Sequence, residues 1–134
     1  QAVPAEVSLI AVHDGVRPFV SPRLINDLFA AAARYGAAVP AVPVVDSLRR
    51  VDAEGGSVAV PRSAYRSVQT PQVFRSDLLL RAYDSPYQDD FTDEASVVEA
   101  AGQAVALVDG DVDNIKITTP RDLAVAEILL QADE

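Results

Sequence analysis

The chain has 134 residues, a formal net charge of -9 at pH 7, 49% apolar residues and no cysteine. This length fits one domain, and the acidic balance argues against a nucleic-acid partner, because phosphate backbones are bound by cationic surfaces. No run approaches the roughly 20 apolar residues of a membrane span, no secretory signal pattern is present, and the lack of cysteine excludes disulfides and is compatible with a cytoplasmic location.

The cationic side chains are few, and nearly all of them are arginines. Of the 11 cationic residues, Lys116 is the only lysine. Any phosphate that the protein handles must therefore be held by a small number of placed cations. A single lysine suggests that a compact ammonium is needed at that position; a chance use of lysine is the alternative.

The first predicted element is a strand that ends at a polar cluster. The apolar run 7–12, VSLIAV, is typical of a strand buried on both faces of a parallel sheet. Open α/β sheets bind ligands just beyond the strand ends, which favours a metal or hydroxyl ligand for Asp14 and an anion contact for Arg17. The alternative is a simple turn with a solvated arginine. We expect His13 to pack or to support that turn.

A helix and a proline-containing strand follow. Ser21 provides a cap, the next residue is a first-turn proline, and the apolar spacing predicts a helix over 22–35 that ends at Gly36. Two prolines interrupt the next apolar run, 37–44. Because proline has no N–H to donate within a sheet, this run is predicted to be an edge strand or a strand that leaves the sheet.

A β-hairpin arm is predicted next. Two runs of alternating polarity flank Gly55 and Gly56 and predict a hairpin over about 44–63. Its exposed face carries one acidic and two basic side chains, which suit packing on the chain's own sheet poorly. Because a two-stranded ribbon is only marginally stable alone, we expect the arm to contact a second copy of the chain. An arm folded back over its own domain is the alternative.

The second half of the chain alternates loops, helices and strands. The polar segment 62–74 predicts a loop that returns from the arm to the sheet. The later predicted elements are a helix over 76–83, a connector over 85–91, a helix opened by Thr92 and ended by Gly102, a strand over 104–108, a turn over 110–114, an extended piece over 115–117 and a helix starting at Thr119-Pro120. This alternation is typical of the α/β class.

Taken in order, the motifs resemble those of one enzyme family from about Val7 to Leu130. They read HDGVRPFVSP, AAVPAVPVVDSLRRVD, RSAYRSVQTPQVF, FTDEASVVEAAG and VDGDVDNIKITTPRDLAVAE. They are similar to motifs of the 2-C-methyl-D-erythritol 4-phosphate cytidylyltransferases of the non-mevalonate isoprenoid pathway. The resemblance implies a Rossmann-like nucleotidyltransferase fold with a protruding β-hairpin arm.

The sequence departs from the family pattern at its beginning. In the family, a first strand leads into a glycine-rich loop that holds the nucleoside triphosphate, whereas the glycines here are scattered at positions 15, 36, 55, 56, 102 and 110. We therefore expect that at least one βαβ unit, roughly 30 residues or more, is missing. Residues 1–134 are then the carboxyl-terminal portion of a single domain, in agreement with the initial Gln1 and the absence of methionine.

The resemblance implies roles for four charged residues. Asp14 matches the acidic residue beside the triphosphate and its Mg²⁺, and Arg17 matches an arginine near the methylerythritol phosphate. Arg62 and Lys116 match the catalytic pair that positions the substrate phosphate. An arginine offers a planar fork and a lysine a point charge, so the two would neutralise and orient the incoming phosphate in different ways.

The resemblance also implies a homodimer joined through the arm. Ser47 stands where the family often has a threonine on the arm, and its hydroxyl can still donate to a phosphate. Thr70 matches a threonine of the same substrate pocket. Because the family's arm crosses to a twofold partner, Ser47, Arg62 and Thr70 are expected to complete the neighbour's site.

The implied reaction joins CTP and 2-C-methyl-D-erythritol 4-phosphate to give 4-diphosphocytidyl-2-C-methyl-D-erythritol and pyrophosphate. Its nucleophile is an already ionised phosphate, so catalysis is chiefly positioning and charge stabilisation. One alternative is a ribitol 5-phosphate cytidylyltransferase. Another is a catalytically silent module for dimerisation and acceptor binding, and we expect no turnover from residues 1–134 alone.

Overall fold

A five-stranded sheet forms the centre of the computed structural model, which describes residues 3–133. A separate two-stranded sheet forms the arm. The strands are β1 Leu9–Val12, β2 Ala37–Pro43, β3 Leu48–Val51, β4 Ser57–Val60, β5 Arg66–Val68, β6 Gln72–Arg75 and β7 Ala106–Asp109, and the helices are α1 Pro22–Tyr35, α2 Ser76–Ala82, α3 Glu94–Ala100 and α4 Pro120–Ala132.

Helix α1 has the bounds that the sequence predicts. The Ser21 side chain accepts a hydrogen bond from the Leu24 backbone N–H, and proline occupies the first turn. Gly36 ends the helix with a φ of 96°, a conformation that favours glycine. Leu28 belongs to the buried face of α1, which packs against Val73 of β6. The local cap and stop signals therefore sufficed for this element.

Strand β2 lies inside the sheet, so its prediction as an edge or departing strand was wrong. Its residues Ala37–Ala38 pair with β6 and its residues 41–43 pair with β5, while β7 runs parallel to it along residues 38–41. Pro40 falls between the two antiparallel pairings, where the partner changes from β6 to β5. The missing N–H is thus placed where that ladder is interrupted, and the Pro40 carbonyl still accepts from the Gln69 N–H at 2.8 Å.

Strand β1 is antiparallel and terminal, which corrects the prediction of a strand buried in a parallel sheet. It pairs only with β6 among the described strands, from Leu9↔Arg75 to Val12↔Gln72. Most of its side chains are half-buried. The apolar run alone could not show this, because it does not report which strand lies next to it or in which direction.

The predicted returning loop, 62–74, contains two strands, which is the third correction. A short 3₁₀ turn, Arg62–Ala64, leads into β5, and β6 follows after Thr70 and Pro71. Strand β6 lies between β1 and β2 and is buried over Gln72–Phe74. Its pairing partners are distant in the chain, so the polar composition of the segment concealed its position.

The arm is confirmed as a β-hairpin. Strands β3 and β4 pair with each other from Leu48↔Val60 to Val51↔Ser57 and form a sheet of their own. Both sides of the arm are largely exposed, including Val51 at 75%. The hairpin therefore buries little apolar surface within the chain.

Helices cover both faces of the main sheet. On one face α1 forms the first hydrophobic cluster, and on the other α2 and α3 form a second cluster around Phe74 and Val98. The cap of α3 is Asp93 rather than Thr92, because the Asp93 side chain accepts from the Ser96 N–H at 2.9 Å. The cap of α4 is Thr119, as predicted.

The remaining expectations hold with small shifts. Helix α2 and the connector 85–91 are where the sequence predicts them, and β7 begins two residues later than predicted. Residues 115–117 belong to no strand or helix. No helix within residues 3–133 is long and apolar enough to cross a membrane.

Candidate functional site

Three segments that are distant in sequence meet beside the amino end of β6. They are the turn 13–17 after β1, the segment 69–72 that leads into β6, and the segment 114–117 before α4. Each lies at the end of a strand or before a helix, where polar groups do not have to satisfy a sheet ladder. This convergence brings the charged residues named from the sequence to one place.

Asp14 lies between two cations. Its Oδ2 atom is 3.2 Å from Nε of Arg17 and 3.6 Å from Nζ of Lys116. The Asp14 side chain is partly exposed, and Lys116 is 49% exposed. One carboxylate therefore holds two positive charges close together while each remains accessible from the adjacent cleft.

Arg17 is the more firmly fixed of the two cations. Its side chain is only 12% exposed, and Nη1 donates to the Asn114 carbonyl at 2.8 Å. Because Nε already donates to Asp14, the plane of the guanidinium is held from two sides. The remaining N–H groups are those available to an anion.

Thr70 and His13 fix the backbone of the same turn. The Thr70 hydroxyl oxygen accepts from the Asp14 N–H at 2.9 Å and lies 3.0 Å from Nδ1 of His13. Nε2 of His13 lies 2.9 Å from the Arg17 carbonyl, which can only accept, so Nε2 is assigned the proton and Nδ1 accepts from the Thr70 hydroxyl. The interpretation of His13 as turn support is confirmed.

Thr70 lies in the cleft of its own chain, beside Asp14, and its role in a neighbour's site stays a prediction. Thr70 is buried and bonded to the Asp14 turn of its own chain. The Thr70 hydroxyl donates to Nδ1 of His13 and accepts from the Asp14 N–H, so this side chain positions Asp14. The pairing of β5 and β6 with β2 carries the Thr70 segment back into its own domain.

Sequence reasoning missed a buried glutamine that fixes the rim of the site. Nε2 of Gln72 donates to Oδ2 of Asp93 at 3.0 Å, and its Oε1 accepts from the Ala95 N–H at 3.1 Å. The start of α3 is thereby attached to β6, and Thr92 and Glu94 lie along the cleft. The available signal was the glutamine itself, a polar side chain within a segment that ends in the apolar pair Val73-Phe74.

Glu94 connects this rim to a tyrosine on α2's carboxyl side. Burial and, to a lesser extent, the Glu94 carboxylate raise the pKa of Tyr83 above its usual 10.0. The phenol therefore stays protonated at neutral pH and donates to Oε1 of Glu94 at 3.3 Å. The rim is thus held by neutral and anionic groups, whereas Arg17 and Lys116 supply the cations of the cleft.

The cleft has a volume of about 370 Å³ and a mostly polar lining. Four of the residues named from the sequence meet at this place: Asp14, Arg17, Thr70 and Lys116. The two cations on one side suit a phosphate-sized anion, whereas the carboxylates of the rim suit hydroxyl groups. The arrangement can hold a molecule that carries both.

Ser47 and Arg62 lie on the arm and outside this cleft. Ser47 is exposed before β3. Arg62 follows β4, and its Nη1 donates to the Val45 carbonyl, so it closes the base of the arm. The structure of one chain therefore brings four of the six predicted residues together and separates these two from them.

One carboxylate of the cleft fits a role as a single Mg²⁺ ligand. Within residues 3–133, no group of three His, Cys, Asp or Glu side chains is arranged to hold a metal ion. Arg17 and Lys116 both contact Oδ2 of Asp14, so Oδ1 takes part in neither ion pair. Mg²⁺ commonly uses one or two carboxylates together with substrate phosphates, so the donor set fits a metal that arrives with a phosphate ligand.

Comparisons with known proteins agree with this geometry. The sequence profile described as 2-C-methyl-D-erythritol 4-phosphate cytidylyltransferase matches residues 1–132. The enzyme of that name from Phocaeicola vulgatus is 52% identical over 122 residues, which are 91% of this chain and 55% of the relative. The Bacillus cereus enzyme is 45% identical over 132 residues, 97% of this chain and 58% of the relative.

Solved structures give the same result. A crystal structure of 2-C-methyl-D-erythritol 4-phosphate cytidylyltransferase from Thermus thermophilus has a TM-score of 0.81 at 43% identity, covering 93% of this chain and 63% of that one. A 4-diphosphocytidyl-2C-methyl-D-erythritol synthase from Anaerococcus prevotii has a TM-score of 0.88 at 31% identity, covering 97% and 62%.

These matches confirm the expected Rossmann-like α/β fold. The chain spans little more than half the length of the curated relatives it matches. It belongs to the 2-C-methyl-D-erythritol 4-phosphate cytidylyltransferase family.

Proposed function

We propose that this chain supplies the acceptor-phosphate part of a cytidylyltransferase site. The full reaction joins CTP and 2-C-methyl-D-erythritol 4-phosphate to give 4-diphosphocytidyl-2-C-methyl-D-erythritol and pyrophosphate. The observation that carries this proposal is the Asp14, Arg17 and Lys116 cluster, in which two cations within 3.6 Å of one carboxylate face a polar cleft. Family membership gives the chemistry of the substrates.

The reaction step requires charge control rather than proton removal. A phosphate oxygen of the polyol phosphate forms a bond to the α-phosphorus of CTP, the bond from that phosphorus to the bridging oxygen breaks, and pyrophosphate leaves with the electron pair. Both reactants are polyanions, so their electrostatic repulsion opposes the approach of the phosphate oxygen to the α-phosphorus. Lys116 and Arg17 lower this repulsion, and their shared contact with Asp14 limits the directions they take before substrate arrives.

A Mg²⁺ ion is part of the proposal as a charge-neutralising group bound with the triphosphate. Oδ1 of Asp14 is the ligand that this chain would offer. The hard cation would reduce the negative charge of the nucleotide, as it does in phosphoryl-transfer sites generally. Asp14, Arg17 and Thr70 are positioned by the chain's own hydrogen bonds.

We also propose that the arm serves a second protomer in a homodimer. Ser47 and Arg62 lie outside their own cleft, and the arm exposes apolar side chains such as Val51 on a ribbon that packs on little else. A twofold partner would cover that surface and receive these two residues. The cytoplasm, where the nucleotide and sugar-phosphate substrates are available, is the proposed location.

The test uses the full-length protein and residues 1–134 in parallel. Each is given CTP with 2-C-methyl-D-erythritol 4-phosphate or with ribitol 5-phosphate, and pyrophosphate release is measured. We expect release from the full-length protein with the methylerythritol substrate and none from residues 1–134. A preference for ribitol phosphate would contradict the substrate assignment, and turnover by the shorter chain would contradict the assignment of a part-site.

A further inference from the structure

The buried polar side chains of residues 3–133 all lie in the cleft lining or in the segments that build it. They are Gln69, Thr70, Gln72 and Asn114, and each bonds to at least one of the segments that build the site. Burying a polar group is favourable only when its hydrogen bonds are made. Because they are concentrated at one place, we infer that they hold the cleft segments in a defined arrangement in addition to filling the core.

Asn114 has the most central position of the four. It is fully buried, and its Nδ2 donates to the Thr70 carbonyl at 2.9 Å and to Oε1 of Gln69 at 3.4 Å. Both partners are acceptors, so the orientation of the amide is determined. Its backbone carbonyl accepts from Arg17 and its backbone N–H donates to the Asp111 carbonyl.

These bonds close a triangle among the three segments. The first side joins Thr70 to Asp14 through the Thr70 hydroxyl. The second joins the turn 13–17 to the segment 114–117 through Arg17 and through the Ile117 N–H, which donates to the Val16 carbonyl at 2.9 Å. The third side joins Thr70 to Asn114, and it depends on the Asn114 side chain.

The choice of asparagine at this position is informative. Its Oδ1 atom has no hydrogen-bond partner within the described part of the chain. An aliphatic residue of similar volume would remove this unpaired acceptor but would also leave the buried Thr70 carbonyl without its donor, which costs stability. The useful part of the side chain is therefore the Nδ2 donor, which holds the Thr70 segment at a fixed distance from Lys116, two residues further along.

We propose that Asn114 is a positioning residue that holds Lys116 against Asp14 and thereby orients the ammonium toward a phosphate in the cleft. Lys116 is half-exposed and Asp14 is its ion-pair partner, so its side chain has little else to restrict it. Anchoring the backbone two residues before it limits where Nζ reaches. This inference rests on the proposed function, because it concerns the same cleft.

The first experiment is a double-mutant cycle in the full-length protein. Asn114→Ala is measured for kcat and KM with Lys116 present and again in a Lys116→Ala background. If Asn114 acts through Lys116, its loss lowers kcat/KM by on the order of tenfold in the first background and by less than about threefold in the second. Equal losses in both backgrounds would mean a merely structural role and would overturn the inference.

The second experiment does not depend on turnover. It uses residues 1–134 labelled with ¹³C at lysine Cε, which give one NMR signal because Lys116 is the only lysine in this chain. Inorganic phosphate is added, and the midpoint of the signal shift is measured. We expect Asn114→Ala to raise that midpoint about threefold or more, as for the loss of one preorganising contact.

Asp113→Asn is the matched control, because Asp113 is exposed in the same turn and its side chain lies outside the cleft. It is expected to titrate like the unmodified chain. If Asn114→Ala does not fold, Asn114→Ser, which keeps a donor of shorter reach, takes its place with the same expected direction.

The two experiments separate the possible failures. A phosphate-dependent Lys116 signal without cytidylyl transfer would contradict the proposed function and leave the positioning role standing. An unchanged midpoint in the Asn114 variant, or no phosphate response in the unmodified chain, overturns the role of Asn114.

Discussion

The cleft and the arm differ in where their contacts come from. The cleft joins residues far apart in sequence, with hydrogen bonds from Asp14 to Thr70 and from Arg17 to Asn114. The arm consists of two strands that pair with each other in a separate sheet and expose Val51. The conformation of the cleft is fixed by contacts between distant parts of the chain. The conformation of the arm is fixed only by the pairing of its own two strands.

This difference indicates how the two halves of the proposed site depend on assembly. Groups held by the triangle of cleft segments keep their arrangement in a single protomer. Ser47 and Arg62 have a fixed place on the arm. The arm itself reaches a cleft only when the surface of another protomer packs against it. Substitutions in the cleft are therefore expected to act within one protomer, whereas substitutions in the arm are expected to act on the partner.

The largest expected effect is a stability change that distinguishes the main sheet from the arm. Leu28 is fully buried in the α1 cluster, so Leu28→Ala is expected to lower the free energy of unfolding by about 2–5 kcal/mol. Val51→Ala on the exposed arm should change it by less than about 0.5 kcal/mol. Urea unfolding at a concentration where the protein is monomeric measures both, and an equally large cost at Val51 would show that the arm packs on its own domain.

The next effect concerns the rate of cytidylyl transfer in the full-length protein. Lys116→Ala removes a positioned charge from the cleft and is expected to lower the rate by about tenfold to a thousandfold. Arg121→Ala is the control, because Arg121 is an exposed cation in the first turn of α4, outside the cleft. Steady-state kinetics compares them, and unchanged kinetics in Lys116→Ala would refute its role.

A comparable loss of rate tests whether the arm serves a partner. Arg62→Ala is expected to lower the rate in the same range, while Arg50→Ala on the same exposed arm should not. If each arm completes the other protomer's cleft, mixing Lys116→Ala with Arg62→Ala leaves one intact site in every mixed dimer and restores about a quarter of the original activity. No restoration, with subunit exchange verified by mass spectrometry, would mean that Arg62 acts in its own protomer.

The elements that the sequence predicted well are those with local signals. Helix α1 has its cap and stop within the segment, the arm has its turn glycines between its strands, and Thr119 caps α4 next to a proline. Strand β6 has no such local signal, because it is defined by partners in β1 and β2. The pattern of a single sequence does not show which distant strands pair with each other.

The same distinction applies to the site. The charged residues of the cleft were identifiable because their types and motifs suggest phosphate chemistry. The groups that hold them, Gln72 and Asn114, act through contacts to residues more than 20 positions away. Their amides carry no charge pattern, so only the folded arrangement shows what they do.

The smallest expected effect is a pH-dependent stability change next to the cleft, at the start of α4. The Asp122 carboxylate accepts from the backbone N–H of Thr118 and from groups of Thr119, and these bonds, the Thr118 bond first, lower its pKa below the usual 3.8. A lowered pKa in the folded state adds stability that is fully present above the unfolded value and is lost as the pH falls through the folded value. Asp122→Ala should therefore lower Tm at about pH 6, where carboxylates are ionised.

That difference in Tm should shrink as the pH falls below 3.8, because the unmodified protein then loses the same interaction. Glu127→Ala, an exposed acidic position on the same helix, is the control and should show a smaller, less pH-dependent shift. A gap for Asp122→Ala that stays constant across the acid range would mean that α4 is held by packing rather than by this cap.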